Sequence, residues 1–185
     1  MIRARRFRAL EGRQRYFVMY ESSEVEVFGR HAYLASVNHP RPRTREVVSH
    51  FRDTVLTIHS TVDRYGDDGG IVGTIRIKAS DAQRVLIEMQ ALSARQITLH
   101  LGLVGATVFR EHEEVSDLKN TESRMRGGHD DRSDWIVILE GIDEASVRRE
   151  KQRVFDTAGW AEIASMEFGI YSHIVSKYHG TNRDL

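Results

Sequence analysis

Two runs of apolar, largely β-branched residues flank a helical pattern in the middle of the chain. Residues 71–77 and 103–109 have the length and composition of strands. Between them, apolar residues recur at the spacing of one helical face, at Ala82, Val85, Leu86, Met89 and Leu92. Ser80 and Gln83 have the spacing of a capping box at the start of this helix. The pattern predicts a strand–helix–strand unit over residues 70–113, whose two strands run parallel.

The same order of elements recurs on the N-terminal side, over residues 15–64. A strand is predicted at 15–20, and Ser23 and Glu26 have the spacing of a second capping box. The helix after it presents an apolar stripe formed by Val27, Phe28, Leu34 and Ala35. His31 falls on that stripe, which indicates a packed core histidine more than a ligand or base.

The first unit then passes through a segment that holds both prolines of the chain. Because each proline removes a backbone donor and restricts its predecessor, no helix is expected through residues 38–45. We interpret this arginine-rich segment as an exposed connection, with a rim over a pocket as the alternative. Residues 50–62 then predict a long strand, and the glycine-rich residues 66–70 predict a turn.

A third unit is predicted over residues 134–177. It begins with a strand at 134–140, continues with a helix capped by Asp143, and ends with a long strand at 166–177. Residues 116–126 predict a short helix or irregular crossover before it. Two joined units make an antiparallel sheet with helices on one face, and the third requires a partner sheet within the chain or across a dimer.

This pattern predicts an α+β fold that divides into two closely packed parts. Residues 1–68 form an N-terminal βαβ unit, and residues 69–185 form a ferredoxin-like domain of two βαβ units. A chain of 185 residues is long enough to bury a substantial core.

Charge and cysteine content exclude several classes of function. Basic and acidic residues number 27 each, so overall charge provides no special attraction to nucleic acid or to a membrane. Four arginines lie near the start, at positions 3, 5, 6 and 8; they suggest a solvated edge strand or loose arm more than a phosphate-binding arm. The absence of cysteine excludes disulfides, thiolate nucleophiles and cysteine-ligated metals.

The sequence also bears on the cellular location of the protein and on the presence of known catalytic and metal-binding motifs. No apolar run approaches the roughly 20 residues that span a bilayer, and the first ten residues lack the apolar core of a secretion signal, so we expect a cytoplasmic protein. His112-Glu-Glu-Val lacks the second histidine of HExxH. Residues 128–131 contain ligand-type side chains, but such clustered charge is more often solvated. Neither a nucleotide-binding glycine loop nor a Gly-x-Ser-x-Gly elbow is present.

The order of elements resembles the dimeric α/β barrel superfamily, in which ferredoxin-like sheets pack face to face. The resemblance is carried by residues 71–77, 103–109 and 135–141 with the helix that follows. The superfamily includes EthD-like proteins, muconolactone isomerases, small monooxygenases, dehydratases, haem-binding members and non-catalytic ligand-binding modules. Residues 33–52 also resemble small proteins of bacterial aromatic-degradation pathways. The resemblance implies a homodimer, a small-molecule pocket against the sheet and, for EthD-like and isomerase members, no obligatory cofactor.

Strand alternation predicts a candidate site on the face that the helices leave uncovered. The polar residues expected there come from different strands: Thr57, His59, Thr74, Arg76, Tyr171 and His173. Neutral imidazoles suit proton transfer near pH 7, and an arginine binds a carboxylate or enolate-like charge. We therefore predict His59 or His173 as general base or acid with Tyr171 as hydrogen-bond donor. Arg76 is the predicted anion anchor, with Thr57 and Thr74 beside it; the alternative is a polar dimer interface or a solvated face.

These predictions define three hypotheses about function. The first is a small cofactor-independent catabolic enzyme, an isomerase, decarboxylase or other proton-transfer catalyst, that acts on an aromatic-derived acid or lactone. The second is a non-catalytic ligand-binding or dimerisation module. The third is a haem-dependent barrel protein with His173 or another strand histidine as axial ligand.

Overall fold

A computed structural model describes residues 2–52, 54–112, 132–156 and 158–178. Seven strands are present in these residues: β1 (Arg3–Glu11), β2 (Tyr16–Glu21), β3 (His59–Gly66), β4 (Ile71–Ala79), β5 (Leu103–Glu111), β6 (Trp135–Gly141) and β7 (Ala164–Tyr178). The helices are α1 (His31–Asn38), α2 (Pro42–Ser49), α3 (Ala82–Ala91), α4 (Ala94–Thr98), α5 (Glu144–Phe155) and α6 (Ala158–Ile163), and a 3₁₀ turn covers Val25–Gly29. The predicted element at 116–126 and the cluster at 128–131 lie outside the described residues.

The seven strands form one sheet in which every neighbouring pair is antiparallel. Their order is β2-β1-β7-β4-β6-β5-β3. The four central strands, β7-β4-β6-β5, have the ferredoxin-like order and are connected as βαββαβ. β1 and β2 extend the sheet beyond β7, and β3 extends it beyond β5. The α+β, ferredoxin-like prediction is confirmed, and the additional strands join the same sheet.

Helices α3 to α6 pack on one face of the sheet, over the larger hydrophobic core. Gly73, Ile75 and Ile77 of β4 lie under Val147 and the other apolar residues of α5, α3 and α4. Asp143 caps α5 as predicted, since its Oδ1 accepts a hydrogen bond from the Ser146 amide at 2.7 Å. The central helix is capped one residue later than predicted, because Asp81 rather than Ser80 accepts from the Arg84 amide.

The N-terminal third departs most from its prediction. Ser23 and Glu26 do not form a capping box; a 3₁₀ turn over Val25–Gly29 precedes α1, and neither element has a side-chain cap. His31 is exposed at the start of α1, so its prediction as a core residue is wrong. A helix does begin inside the proline segment, because Pro42 occupies a first-turn position where its missing N–H costs nothing.

The predicted strand over 50–62 is wrong in its first half. Regular pairing begins only at His59, and the described residues from Phe51 to Ile58 contain no strand. β3 pairs with β5, with a register shift between Thr61 and Asp63. β2 and β3, predicted as the two strands of one βαβ unit, lie at opposite edges of the sheet.

The N-terminal arginines are ordered within the sheet. β1 lies between β2 and β7, so it is neither an edge strand nor a loose arm. Arg3 and Arg5 are buried, whereas Arg6 and Arg8 are exposed on the opposite face of the strand. The prediction of a solvated edge strand or loose arm is therefore wrong. None of the helices in the described ranges has the length and hydrophobicity needed to cross a bilayer.

Candidate functional site

The face of the sheet opposite the helices encloses a second, smaller core. Phe7, Val72, Ile138 and Tyr171 are buried there, and Phe7 has no exposed surface. We call this the inner face. The sheet curls around it until the two edge strands approach each other, since Arg64 of β3 and Glu21 of β2 form a salt bridge with an N–O distance of 3.2 Å.

Predicted site residues from three strands lie toward one end of the inner face. In strand register, Thr74 lies beside Gly169 and Ile138, and Arg76 lies beside Glu167. Arg76 Nη1 donates to Glu167 Oε2 at 2.9 Å, and this ion pair is mostly buried on the arginine side. His59 lies in register with Glu111 on β5. The fold therefore gathers His59, Thr74, Arg76 and Tyr171, as predicted, and adds the carboxylates of Glu111 and Glu167.

His59 is held as a neutral imidazole. Its Nε2 lies 3.2 Å from the carbonyl oxygen of Ser133, so Nε2 carries the proton and donates it, which leaves the Nδ1 lone pair as the basic site. Burial lowers the pKa of His59, and the positive charge of Arg76 lowers it further, while the bond to Ser133 opposes both effects. A neutral imidazole with one free lone pair has the protonation state of a general base.

Tyr171 is held as a neutral phenol. Burial raises the pKa of Tyr171, whereas a hydrogen bond from the side chain of Thr74 and the charge of Arg76 lower it. Its ring packs against Phe17 with the ring centres 5.6 Å apart. A Cβ at Gly12, in the β1–β2 turn, would lie 3.2 Å from the Tyr171 hydroxyl. The hydroxyl thus lies between the turn and the sheet, beside Thr74.

The structure does not bring His173 or Thr57 into this arrangement. His173 lies on the inner face two residues beyond Tyr171, but it is six residues beyond Glu167 on β7, roughly 20 Å along the strand from the Arg76–Glu167 pair. It is exposed, its Nε2 lies 2.9 Å from Ser176 Oγ, and its ring contacts Phe7 edge-on. Thr57 lies in the irregular segment before β3 and not in a strand.

A buried ion-pair network at the other end of the inner face was missed by sequence reasoning. Arg5 is only 1% exposed and donates to Glu140, with Nη2 and Oε2 2.9 Å apart. The Gly69 amide also donates to Glu140 Oε2, at 2.8 Å. Arg3 pairs with Glu21 and Asp68. The sequence feature that could have predicted this network is the alternation that places Arg3 and Arg5 on the same side of β1 as the apolar Phe7.

Two surface clefts are lined by residues outside the inner face. One, of about 500 Å³, is lined by His100, Leu101, Ser146, Arg149, Glu150 and Arg153. The other, of about 610 Å³, is lined by Ala32, Ala35, Ser36, His39, Pro40, Arg41 and Thr44. Within the described ranges, no three histidine or carboxylate side chains are grouped as metal ligands would be.

The fold has relatives among solved structures. A proposed monooxygenase from Fusobacterium nucleatum subsp. nucleatum superposes with a TM-score of 0.55 at 7% identity, over 97% of this chain and 78% of that chain. An anthrone oxidase-like protein superposes with a TM-score of 0.58 at 9% identity, over 97% of this chain and 79% of that one. Both have the ferredoxin-like α/β barrel architecture. No protein-family model matches the sequence, and no curated protein matches it significantly.

Proposed function

We propose that the protein is a small-molecule enzyme that moves a proton on an aromatic-derived acid at the His59 end of the inner face. The observation that carries this proposal is the convergence of a neutral His59, Arg76, Thr74 and Tyr171 from three strands. The fold neighbours are described as a monooxygenase and as anthrone oxidase-like, which supports an aromatic compound with an acidic C–H bond as the substrate class.

The chemistry assigned to these residues is a proton abstraction. His59 Nδ1 takes a proton from a carbon next to a carbonyl group; the C–H bond breaks, an N–H bond forms, and the electron pair moves onto the carbonyl oxygen. Arg76, held by Glu167, binds the substrate carboxylate, and Tyr171 donates a hydrogen bond to the enolate oxygen. Return of the proton to another position completes an isomerisation without a cofactor.

Keto–enol tautomerisation of phenylpyruvate tests this proposal. This probe combines an aromatic ring, a carboxylate and an acidic methylene carbon, and the enol is followed by its absorbance. We expect the protein to accelerate the reaction and His59→Asn to reduce kcat by at least about 100-fold, the usual contribution of a general base. Arg76→Gln should raise KM more than it lowers kcat, because it removes the carboxylate anchor.

The matched control is His31→Asn, which removes an exposed histidine at the start of α1, outside the strands that form the inner face. It should leave kcat and KM unchanged. If folded His59→Asn protein has the same rate as the original chain, His59 is not the base. If phenylpyruvate binds without acceleration over the spontaneous reaction, the binding-module hypothesis is favoured instead.

The haem-dependent alternative receives no support from the two strand histidines. His59 Nε2 is bonded to the Ser133 carbonyl, and His173 lies exposed with its Nε2 at Ser176. An axial ligand requires an imidazole nitrogen directed into an apolar pocket, whereas His59 lies beside the charged side chains of Arg76 and Glu111. If haemin is added and a Soret band of bound haem appears, the His173→Ala variant should show the same band, because His173 is not expected to be the axial ligand.

A further inference from the structure

The exposed face of the N-terminal strands carries an unusual combination of side chains. On β2, β1 and the end of β7, most of the side chains that point away from the inner face are exposed. We call this surface the outer N-terminal face and define it by Arg6, Arg8, Tyr16, Val18, Tyr20 and Lys177. It lies on the opposite side of β1 from the inner face and shares none of the residues of the proposed catalytic site.

Strand register arranges these residues in rungs. Tyr16 lies beside Arg8, Val18 beside Arg6, and Tyr20 on the third rung, which ends at Lys177 on β7. Tyr16, Val18 and Tyr20 are 42%, 40% and 53% exposed. Two aromatic rings thus stand on one face of one strand, about 13 Å apart at the usual rise per residue.

The charge of this face is positive and unneutralised. In the described part of the chain, Arg6, Arg8 and Lys177 form no ion pair with a carboxylate, whereas Arg3 and Arg5 on the inner side of β1 are paired with Glu21, Asp68 and Glu140. The Arg6 guanidinium instead lies 4.7 Å from the centre of the Tyr16 ring. Overall neutrality of the chain therefore conceals a local cationic surface.

We propose that the outer N-terminal face binds single-stranded nucleic acid. Exposed aromatic rings on the surface of a sheet stack on unpaired bases, and unpaired arginines and lysines between them contact phosphates. The spacing of Tyr16 and Tyr20 accommodates a short run of nucleotides with Arg6 and Arg8 beside the backbone. The assignment goes beyond the proposed enzyme function and does not depend on it.

The same observations disfavour the other occupants. A symmetric dimer through this face would place one cationic face against an identical cationic face, which is repulsive. An anionic membrane would also attract the cations, but its binding requires apolar side chains that insert together, and here Arg6 separates Val18 from Val175 in one rung. Duplex nucleic acid requires an element that enters a groove, and the outer side of these three paired strands provides no such element.

Fluorescence anisotropy with labelled dT12 and rU12 tests the proposal. We expect saturable binding by the full chain at low salt that weakens as salt increases. The double variant Arg6→Gln/Arg8→Gln should reduce the slope of log K against log salt by about 1.4, or about 0.7 per lost phosphate contact. Tyr20→Leu keeps the apolar bulk but removes a stacking surface, and it should weaken binding about tenfold.

The matched control is Arg41→Gln/Arg43→Gln, which removes two exposed arginines near the start of α2 and should leave binding unchanged. Amide chemical shifts of the unmodified chain provide a second measurement that needs no variant. On addition of dT12, the largest changes should fall on Ala4, Val18 and Val175.

Three outcomes would overturn the assignment. They are absence of oligonucleotide binding at low salt, equal weakening by the Arg41/Arg43 control, and shift changes confined to residues outside β1, β2 and β7. Binding of phosphatidylserine vesicles without binding of either oligonucleotide would assign the face to a membrane instead. Loss of phenylpyruvate turnover does not bear on this result, because the two surfaces have no residue in common.

Discussion

At the residue scale, the properties of His59 follow from its surroundings more than from its sequence position. The sequence alone identified His59 as a strand residue on a polar face, and the structure supplies Ser133, Arg76 and Glu111 around it. Ser133 lies 74 positions away, so local periodicity could not predict this partner. His173 has the same alternation in sequence, yet it lies far along β7. Alternation predicts the face of a strand but not the distance along it.

The pH dependence of stability should report on His59. Because its pKa is lowered on folding, the unfolded chain binds more protons than the folded chain between that lowered value and the ordinary histidine value of about 6.5. The free energy of unfolding should therefore fall as pH decreases through this window. Urea titrations at several pH values measure this, and His59→Asn should remove this part of the dependence.

Histidine titration by NMR checks the same assignment directly. The His59 resonance should titrate below the ordinary histidine value of about 6.5, and Arg76→Gln should move its pKa upward, because a nearby positive charge disfavours the imidazolium. A His59 pKa at or above about 6.5 would contradict the assigned neutral state. The catalytic rate should correspondingly persist below pH 6.5 and fall only at the lowered pKa.

Removal of one member of the Arg5–Glu140 pair should lower the free energy of unfolding strongly, whereas replacement of both members by apolar residues should lower it little. Glu140→Gln leaves the Arg5 charge buried without its full partner, and we expect a loss of about 3 kcal/mol of unfolding free energy. Arg5→Met/Glu140→Leu removes both charges and should recover most of that loss. Urea unfolding measures both values. If the double variant is as unstable as Glu140→Gln, the ion pair contributes to the free energy of unfolding beyond the neutralisation of one buried charge by the other.

At the element scale, prediction succeeded where local signals and tertiary packing agree. The central strands and α5 were recognised because their apolar period, caps and turns all indicate the same element. The prediction of a capping box failed at Ser23–Glu26, and the prediction of a strand failed over the described residues of 50–58. In both regions the local sequence signal is not supported by packing against the core. The N-terminal helices bury few side chains, Val37 and Val48 among them. Local propensity therefore did not determine their boundaries.

The contact between α5 and β4 requires a glycine. A Cβ at Gly73 would collide with Val147 of α5, so the helix lies directly against the strand. Gly73→Ala should cost about 1–3 kcal/mol of unfolding free energy through overpacking. Gly70→Ala is the matched control, because a Cβ there meets nothing within 4 Å. In Gly73→Ala/Val147→Ala, the combined loss should be smaller than the sum of the single losses, since each substitution accommodates the other.

At the scale of the whole molecule, the additional strands explain how one chain encloses its inner face. The ferredoxin-like order could be predicted from the repeated units, but the places of β1, β2 and β3 could not, because edge pairing is set by long-range contacts. The salt bridge between Arg64 and Glu21 joins strands that are 43 positions apart in sequence and at opposite edges of the sheet. The homodimer and the division at residues 68 and 69 stay predictions, which solution mass and separate expression of residues 69–185 will test.

The most direct test of the central claim is a crystal structure of the protein with phenylpyruvate bound. We predict the carboxylate on Arg76 and the methylene carbon within about 3.5 Å of His59 Nδ1, the separation of a reactive complex. Tyr171 should donate to the carbonyl oxygen. Phenylpyruvate bound instead in the cleft beside Pro40 or the cleft beside His100, with the inner face unoccupied, would contradict the account.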